Sequence, residues 1–244
     1  QLGRETTAGT QTTATTRWRG LGALDDNREI VMPEEFIGII GGGDRSYIPK
    51  IEGALTMDNT DATFEQLPHL LIAGIANTTA GVQDSTGSGY VYTYNIPHST
   101  APSIGTYSIR EGDNNQAQAM NYAFVQSFNL QGNAGEAVMM GANWIGRAVN
   151  DGTFSTSVNV PDVETILASR GQVYIDAVSD TYGDTLTSNT LLGFTANFNN
   201  LIQAKYTMEG VFFFSFHYAG NREITGTLRF EHNATAITER TAWR

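Results

Sequence analysis

The sequence predicts an all-β-dominated fold: a β-sandwich or barrel with one flanking helix, a second short helix, an extended N-terminal arm and a long early loop. Three observations support this. Residues 223–232 alternate strictly, with Glu223, Thr225, Thr227, Arg229 and Glu231 on one face and Ile224, Leu228 and Phe230 on the other. Successive strand residues point to opposite faces, so this reads as an antiparallel strand with a wet face and a core face. Further strand-like runs cover 106–110, 122–131, 136–149, 172–178, 190–199 and 205–217, separated by glycine-bearing turns. Finally, only 16% of residues are charged, against roughly 25% in an average soluble domain. Thr, Asn, Ser and Gln take their place, and such side chains suit sheet faces that meet other protein surfaces.

Taken in order, residues 1–16 form an arm and residues 17–244 a single β domain. The arm is Thr-rich, punctuated by Gly3 and Gly9, and has too little apolar surface to fold alone. It is expected to stay mobile or to lie on a neighbouring subunit, with core material beginning near Trp18 and Leu21. A strand over 28–40 ends in Phe36-Ile37-Gly38-Ile39-Ile40, and Gly41-Gly42-Gly43 opens a loop before a second strand over 50–57. The glycine run lacks the Gly-Lys-Ser/Thr ending and the spacing of a phosphate cradle, so it reads as a hairpin tip. Thr63 with Gln66 makes a capping-box pattern, and Phe64, Leu67, Leu70, Leu71 and Ile75 form the stripe of a helix over 63–75. Pro68 kinks that helix or moves its start toward Gln66. A second short helix is expected over 161–170, with Pro161 at its first position, Asp162 and Glu164 favouring the dipole, and Gly171 as its stop. Gly132-Asn133-Ala134-Gly135 joins two long strands as a hairpin. Residues 211–216 are apolar on both faces, which fits a strand deep in a sandwich or at a subunit contact.

The net charge is −11, and Lys50 and Lys205 are the only lysines. Clusters of Lys and Arg are the footprint of phosphate-backbone binding, so tight nucleic-acid binding is not expected. With no cysteine there are no disulfides and no thiolate metal sites. No apolar run approaches the roughly 18–20 residues needed to span a bilayer, and no membrane insertion is expected. Asn77-Thr78-Thr79 and Asn233-Ala234-Thr235 match the glycosylation pattern, but without a signal-peptide core in residues 1–19 they read as chance matches.

Neither a catalytic nor a metal constellation emerges. His69, His98, His217 and His232 lie outside metal-ligand spacing of one another, and His69 beside its apolar stripe reads as structural. Asp58, Asp61 and Glu65 do not follow the ligand order of a calcium loop. The adjacent pairs Asp25-Asp26 and Glu34-Glu35 cannot converge on one point in an extended chain, and no Gly-x-Ser-x-Gly elbow occurs. The chain reads as a binding or building protein without a cofactor, not as an enzyme.

Several phrases, in order, resemble the tail tube (major tail) proteins of long-tailed bacteriophages. They are the opening Gly3-Arg4-Glu5-Thr6-Thr7-Ala8-Gly9-Thr10, the passage Phe64-Glu65-Gln66-Leu67-Pro68-His69-Leu70-Leu71, then Ile145-Gly146-Arg147, Val160-Pro161-Asp162-Val163-Glu164 and Val173-Tyr174-Ile175-Asp176. The resemblance implies subunits that join their sheets around a lumen in rings, typically hexameric, which stack into a tube that guides DNA into the host. It implies a virion tail location after synthesis in the bacterial cytoplasm. The implied partners are other copies of the chain, then tape-measure, tail-terminator and baseplate or distal tail proteins, with DNA only in passage. An early loop would bridge rings, here over 38–50 with Gly41, Gly42, Gly43, Asp44, Arg45 and Tyr47. The arm, through Arg4, Thr6 and Thr10, would reach another subunit.

Strand alternation adds candidates for the lumen: Glu223 and Glu231 on the last strand, Glu209 entering from an adjacent one, and Ser127, Asn129 and Gln131 on a second polar face. Those faces could equally point outward, and Arg229 could pair with Glu223 and Glu231. A net acidic wall would discourage sticking by DNA, which carries about one negative charge per 1.7 Å of axis. Screening confines that repulsion to roughly 8 Å at physiological salt. Two other readings stand beside this one. One is a decoration or tail-completion protein of similar construction. The other is a carbohydrate-binding β domain with Trp18, Trp144 and Trp243 as a platform, although Trp144 alternates with Val138, Met140 and Ala142 as a core residue would.

Overall fold

The computed structural model describes the chain except residues 37, 39–44, 79–80, 97–99, 101–102, 114, 178, 182, 220 and 243–244, and only the backbone of 216–219. In chain order the elements begin with β1 (Leu2–Arg4), β2 (Gly22–Asp26), β3 (Gly53–Asp61), α1 (Leu67–Gly74), β4 (Val82–Gln83), β5 (Tyr90–Val91) and β6 (Tyr107–Gly112). They continue with β7 (Ala117–Asn133), β8 (Met139–Gly146), β9 (Val149–Gly152), β10 (Leu191–Asn199), β11 (Ile202–Lys205), β12 (Phe216–Ala219), β13 (Glu223–Phe230) and α2 (Ala234–Ala242). The fold is mostly β, with two short helices, as the alternating text predicts.

Nine strands form one connected antiparallel sheet that bends into two leaves at β7. The first half of β7 pairs with β6 and β9, and β1 adds beside β6. Its second half pairs with β8 and β10, extending to the six-stranded leaf β2-β3-β8-β7-β10-β13. The change of partners falls near Tyr122, whose φ of +54° is rare for a bulky residue. Its N–H donates to the Glu5 carboxylate at 3.0 Å and the Arg147 guanidinium lies 4.2 Å from its ring centroid, which hold this conformation.

The core fills the space between the leaves. Leu2, Tyr107, Ile109 and Met120 meet Leu55, Met57, Met140 and Trp144, and Leu70, Ile72 and Ala73 of α1 close over Val125 and Phe128. Trp144, 2% exposed, donates its indole N–H to Met57 Sδ at 3.2 Å and meets Tyr107 edge-on. His69 Nδ1 lies 3.1 Å from Tyr107 Oη; burial, aided by the nearby Arg4 charge, pushes the imidazole down to about 4. As the capping signal predicts, Thr63 Oγ1 accepts the Gln66 N–H at 3.2 Å, and Pro68 sits harmlessly in the first turn. A second, smaller core of Tyr122, Phe124, Ile145, Ile202 and Phe214 sits on the opposite side of the six-stranded leaf, at one end.

Five expectations need correction. The arm does not extend: Leu2 is buried, and β1 pairs with β6. Glu5 explains much of this, because its carboxylate accepts from Gly9 N, Thr106 Oγ1, Ser108 Oγ and Tyr122 N at 2.7–3.0 Å. Leu21, where core was expected, is 76% exposed. The segment 161–170 is not a helix but extended chain, ending in a single 3-10 turn at Ala168–Arg170. Its backbone is claimed by neighbours, with Ile166 N bonded to Ala62 O and Val138 N to Ile166 O, both at 2.8 Å. Tertiary hydrogen bonds override a helix-start pattern there. The second helix lies instead at Ala234–Ala242, started by Asn233 Oδ1 accepting the Ala236 N–H at 2.9 Å. Finally, 205–217 is not one strand: β11 and β12 flank an irregular stretch, 206–215, whose Phe214 is buried in the second core.

Candidate functional site: the bare face of the six-stranded leaf

Register across the six-stranded leaf sorts its side chains into rows. One row runs Gly22, Met57, Ala142, Phe128, Phe198, Ile224 on the core side. The next runs Ala23, Thr56, Asn143, Ser127, Asn199, Glu223 on the other side. A period of two makes every neighbouring row alternate in the same way. Beside the second row, on the same face, lie Asn129 opposite Asn197, Gln131 opposite Thr195, and Thr225 opposite Asn197.

The outcome is a nearly neutral lawn of amides and hydroxyls. Asn143 donates to Ser127 Oγ at 3.2 Å, Asn129 to Asn59 Oδ1 at 3.1 Å, and the Thr195 and Thr227 hydroxyls share a hydrogen bond at 2.7 Å. A shallow cleft of about 390 Å³ opens between Ser127, Asn129, Asn143, Asn197, Asn199 and Glu223. Charge appears toward the margins, as Asp25 on β2, Asp61 at the end of β3, and Glu223 and Arg229 on β13. Arg229 does not pair with Glu223 or Glu231; it donates to Asn133 Oδ1 at 3.2 Å. One end of the face is roofed by the second core, where Arg147 holds the 206–215 segment through the carbonyls of Phe214 and Ser215.

Four of the six lumen candidates therefore share a face: Ser127, Asn129, Gln131 and Glu223. Glu209 does not join them, because it occupies an exposed bend between β11 and β12 rather than a strand. Glu231 lies just past β13, beside α2, its N–H bonded to Thr190 O at 2.7 Å. Sequence reading missed Asn143, Asn197 and Asn199; their alternation with Ala142 and Phe198 was the available signal.

Of the loop candidates, Gly41, Gly42, Gly43 and Asp44 lie outside the described residues. Arg45 pairs with Glu35, and Tyr47 exchanges two backbone hydrogen bonds with Val31 at 2.9 and 3.0 Å. The excursion is longer than 38–50. Asn27 N bonds to Glu52 O and Glu29 N to Lys50 O, so its two legs run together from 27 to 52, with Ile30, Met32 and Phe36 exposed. Arg4 is engaged within its own chain, donating to Asn77 Oδ1 and to Thr78 O. Thr6 and Thr10 are exposed.

Among the described residues no group of three or more His, Asp or Glu side chains could hold a metal ion, and no helix is long and apolar enough to cross a membrane. Trp144 is buried and cannot serve a sugar platform. No protein-family model matches the chain, and a search of the curated proteins finds no match.

Proposed function

We propose that the chain is a ring-forming wall protein of a virion tail tube, with the bare face of the six-stranded leaf turned to the lumen. One observation supports this above the others: a wide, largely uncovered sheet face of mostly neutral polar side chains is flanked at both edges by strands that have no outer partner among the described residues. An unpaired edge invites another strand, and joining edge to edge around a ring removes both edges at once. The two edges differ, so the contact is heterologous and repeats in one direction. At about 4.8 Å per strand, six strands contribute roughly 29 Å of wall. Six copies would then enclose a ring at least roughly 55 Å across between backbones, and strand tilt widens it.

The proposed wall works differently from the acidic one that net charge suggests. Its centre offers Asn, Ser and Thr, so a passing duplex meets no cation whose binding would release counterions. Hydrogen bonds from amides to phosphate exchange with water for a net of only about 1 kcal/mol each. DNA then slides without being held or strongly repelled. The excursion over 27–52 extends from the β2–β3 edge and is the inter-ring element of this reading. A decoration or tail-completion protein would share the sandwich but has no use for two open edges.

Sizing followed by negative-stain microscopy tests the proposal. Hollow stacked rings or tubes are expected; a species that stays monomeric at high concentration, even when seeded with pre-formed tail tips, would overturn it.

A further inference from the structure

The side of the sandwich next to β2 is not closed. A cavity of about 340 Å³ opens there, lined by Trp18, Leu21, Gly22, Leu55, Met57 and Ile109 among others. Arg110 also lines it, but its guanidinium turns to the arm, donating from Nη2 to Thr12 O at 2.8 Å. At the far end of the same leaf the complementary defect appears. Ile224 and Leu228 of β13 face the core side of the sheet but are 53% and 52% exposed, since α1 and the smaller leaf do not reach them.

We infer that the cavity beside β2 receives the apolar row of β13, Ile224, Leu228 and Phe230, from a second copy of the chain. The inference rests on the ring reading above and adds the residues that lock one subunit to the next. Four observations favour a second copy over any other occupant. Cavity and row lie on the same side of one sheet, at its opposite edges, so continuing the sheet brings them together without inverting either. Along the leaf every pairing is antiparallel and six strands alternate, so β13 meets the next β2 antiparallel as well. Faces are preserved only for register shifts of even number, and each such shift presents Ile224, Gly226, Leu228 or Phe230 to the cavity. The charges also match: β2 carries Asp25 unpaired, Asp26 being held by Arg28 of its own chain, whereas residues 222–230 carry Arg222 and Arg229 against Glu223 alone.

A photoreactive phenylalanine analogue placed at Leu228, an exposed position, tests this in the full chain. Isotopically light and heavy copies are mixed, allowed to assemble and irradiated. Mixed-isotope cross-links into the peptide spanning 18–26 are expected, and Leu228→Asp should abolish assembly while leaving the monomer's melting temperature unchanged. Assembled tubes whose cross-links fall elsewhere, for instance on the exposed hairpin of Val82 and Tyr90, would overturn the cavity assignment and leave the ring reading standing. Cross-links confined to one isotope, with no assembly of the unmodified protein, would overturn both.

Discussion

The middle and the rim of the six-stranded leaf obey one pattern and meet different fates. In β7 and β8, Val125, Phe128, Met140 and Trp144 point to the core side and are buried. In β13, Ile224 stands in the row of Phe128, Leu228 in the row of Phe194 on the same side, and both are about half exposed. Alternation decides which side of a sheet a residue faces; only a second layer decides whether that side is dry. Here α1 and the smaller leaf supply the layer over the middle strands. At the rim, Phe198 stacks on Phe128 with 4.3 Å between ring centroids, and beyond it cover ends.

Mutation at the centre should produce the largest effect. Trp144→Ala removes a fully enclosed side chain from between the leaves and should cost about 3–5 kcal/mol, or roughly 10 °C of melting temperature, in urea and thermal unfolding. Acid should come next. His69 is held neutral by burial, down to about 4 in the folded chain, against about 6.5 when unfolded. Between those values the unfolded state binds the extra proton, so stability is full above pH 6.5 and falls progressively as pH drops toward 4. The loss should reach about 3 kcal/mol, and His69→Gln should flatten the slope in a pH series of urea melts.

At the rim the effects on the monomer shrink. Asn233→Ala removes the cap of α2 and should cost about 1 kcal/mol, seen as faster amide exchange in α2. Leu228→Ser should change monomer stability by less than about 0.5 kcal/mol, yet impair assembly in sedimentation. If Leu228→Ser instead cost as much as Trp144→Ala in the monomer, the contrast between middle and rim would collapse.

Much of this was legible in the sequence, and what was not has a physical reason. Alternation found β6, β7, β8, β10 and β13, and Thr63 with Gln66 located α1. Ser127, Asn129, Gln131 and Glu223 were placed on polar faces that prove to be one face, because a two-residue period survives any register of even shift. The extended course of 161–170 was hidden, since Pro161 and Asp162 carry a local helix signal while the competing hydrogen-bond partners of Ile166 lie at Val138 and Ala62, about 30 and 100 residues away. The arm was misread for a similar reason: its threonines supply no core, and its anchor is a buried Glu5 whose hydroxyl and amide donors come largely from distant residues. The sequence reading took Asn233 only as a chance glycosylation match and missed α2; the capping position of Asn233 was the available signal. The neutrality of the bare face could not be read from a net charge of −11, because the carboxylates lie mostly on rims and loops.

The central claim is that both open edges of the six-stranded leaf close against other copies. Amide hydrogen exchange, compared between monomer and assembled protein, tests it most directly. Protection should rise in β2 and β13 on assembly while the already buried β7 and β8 change little. Edge amides that exchange as fast in the assembly as in the monomer would contradict it.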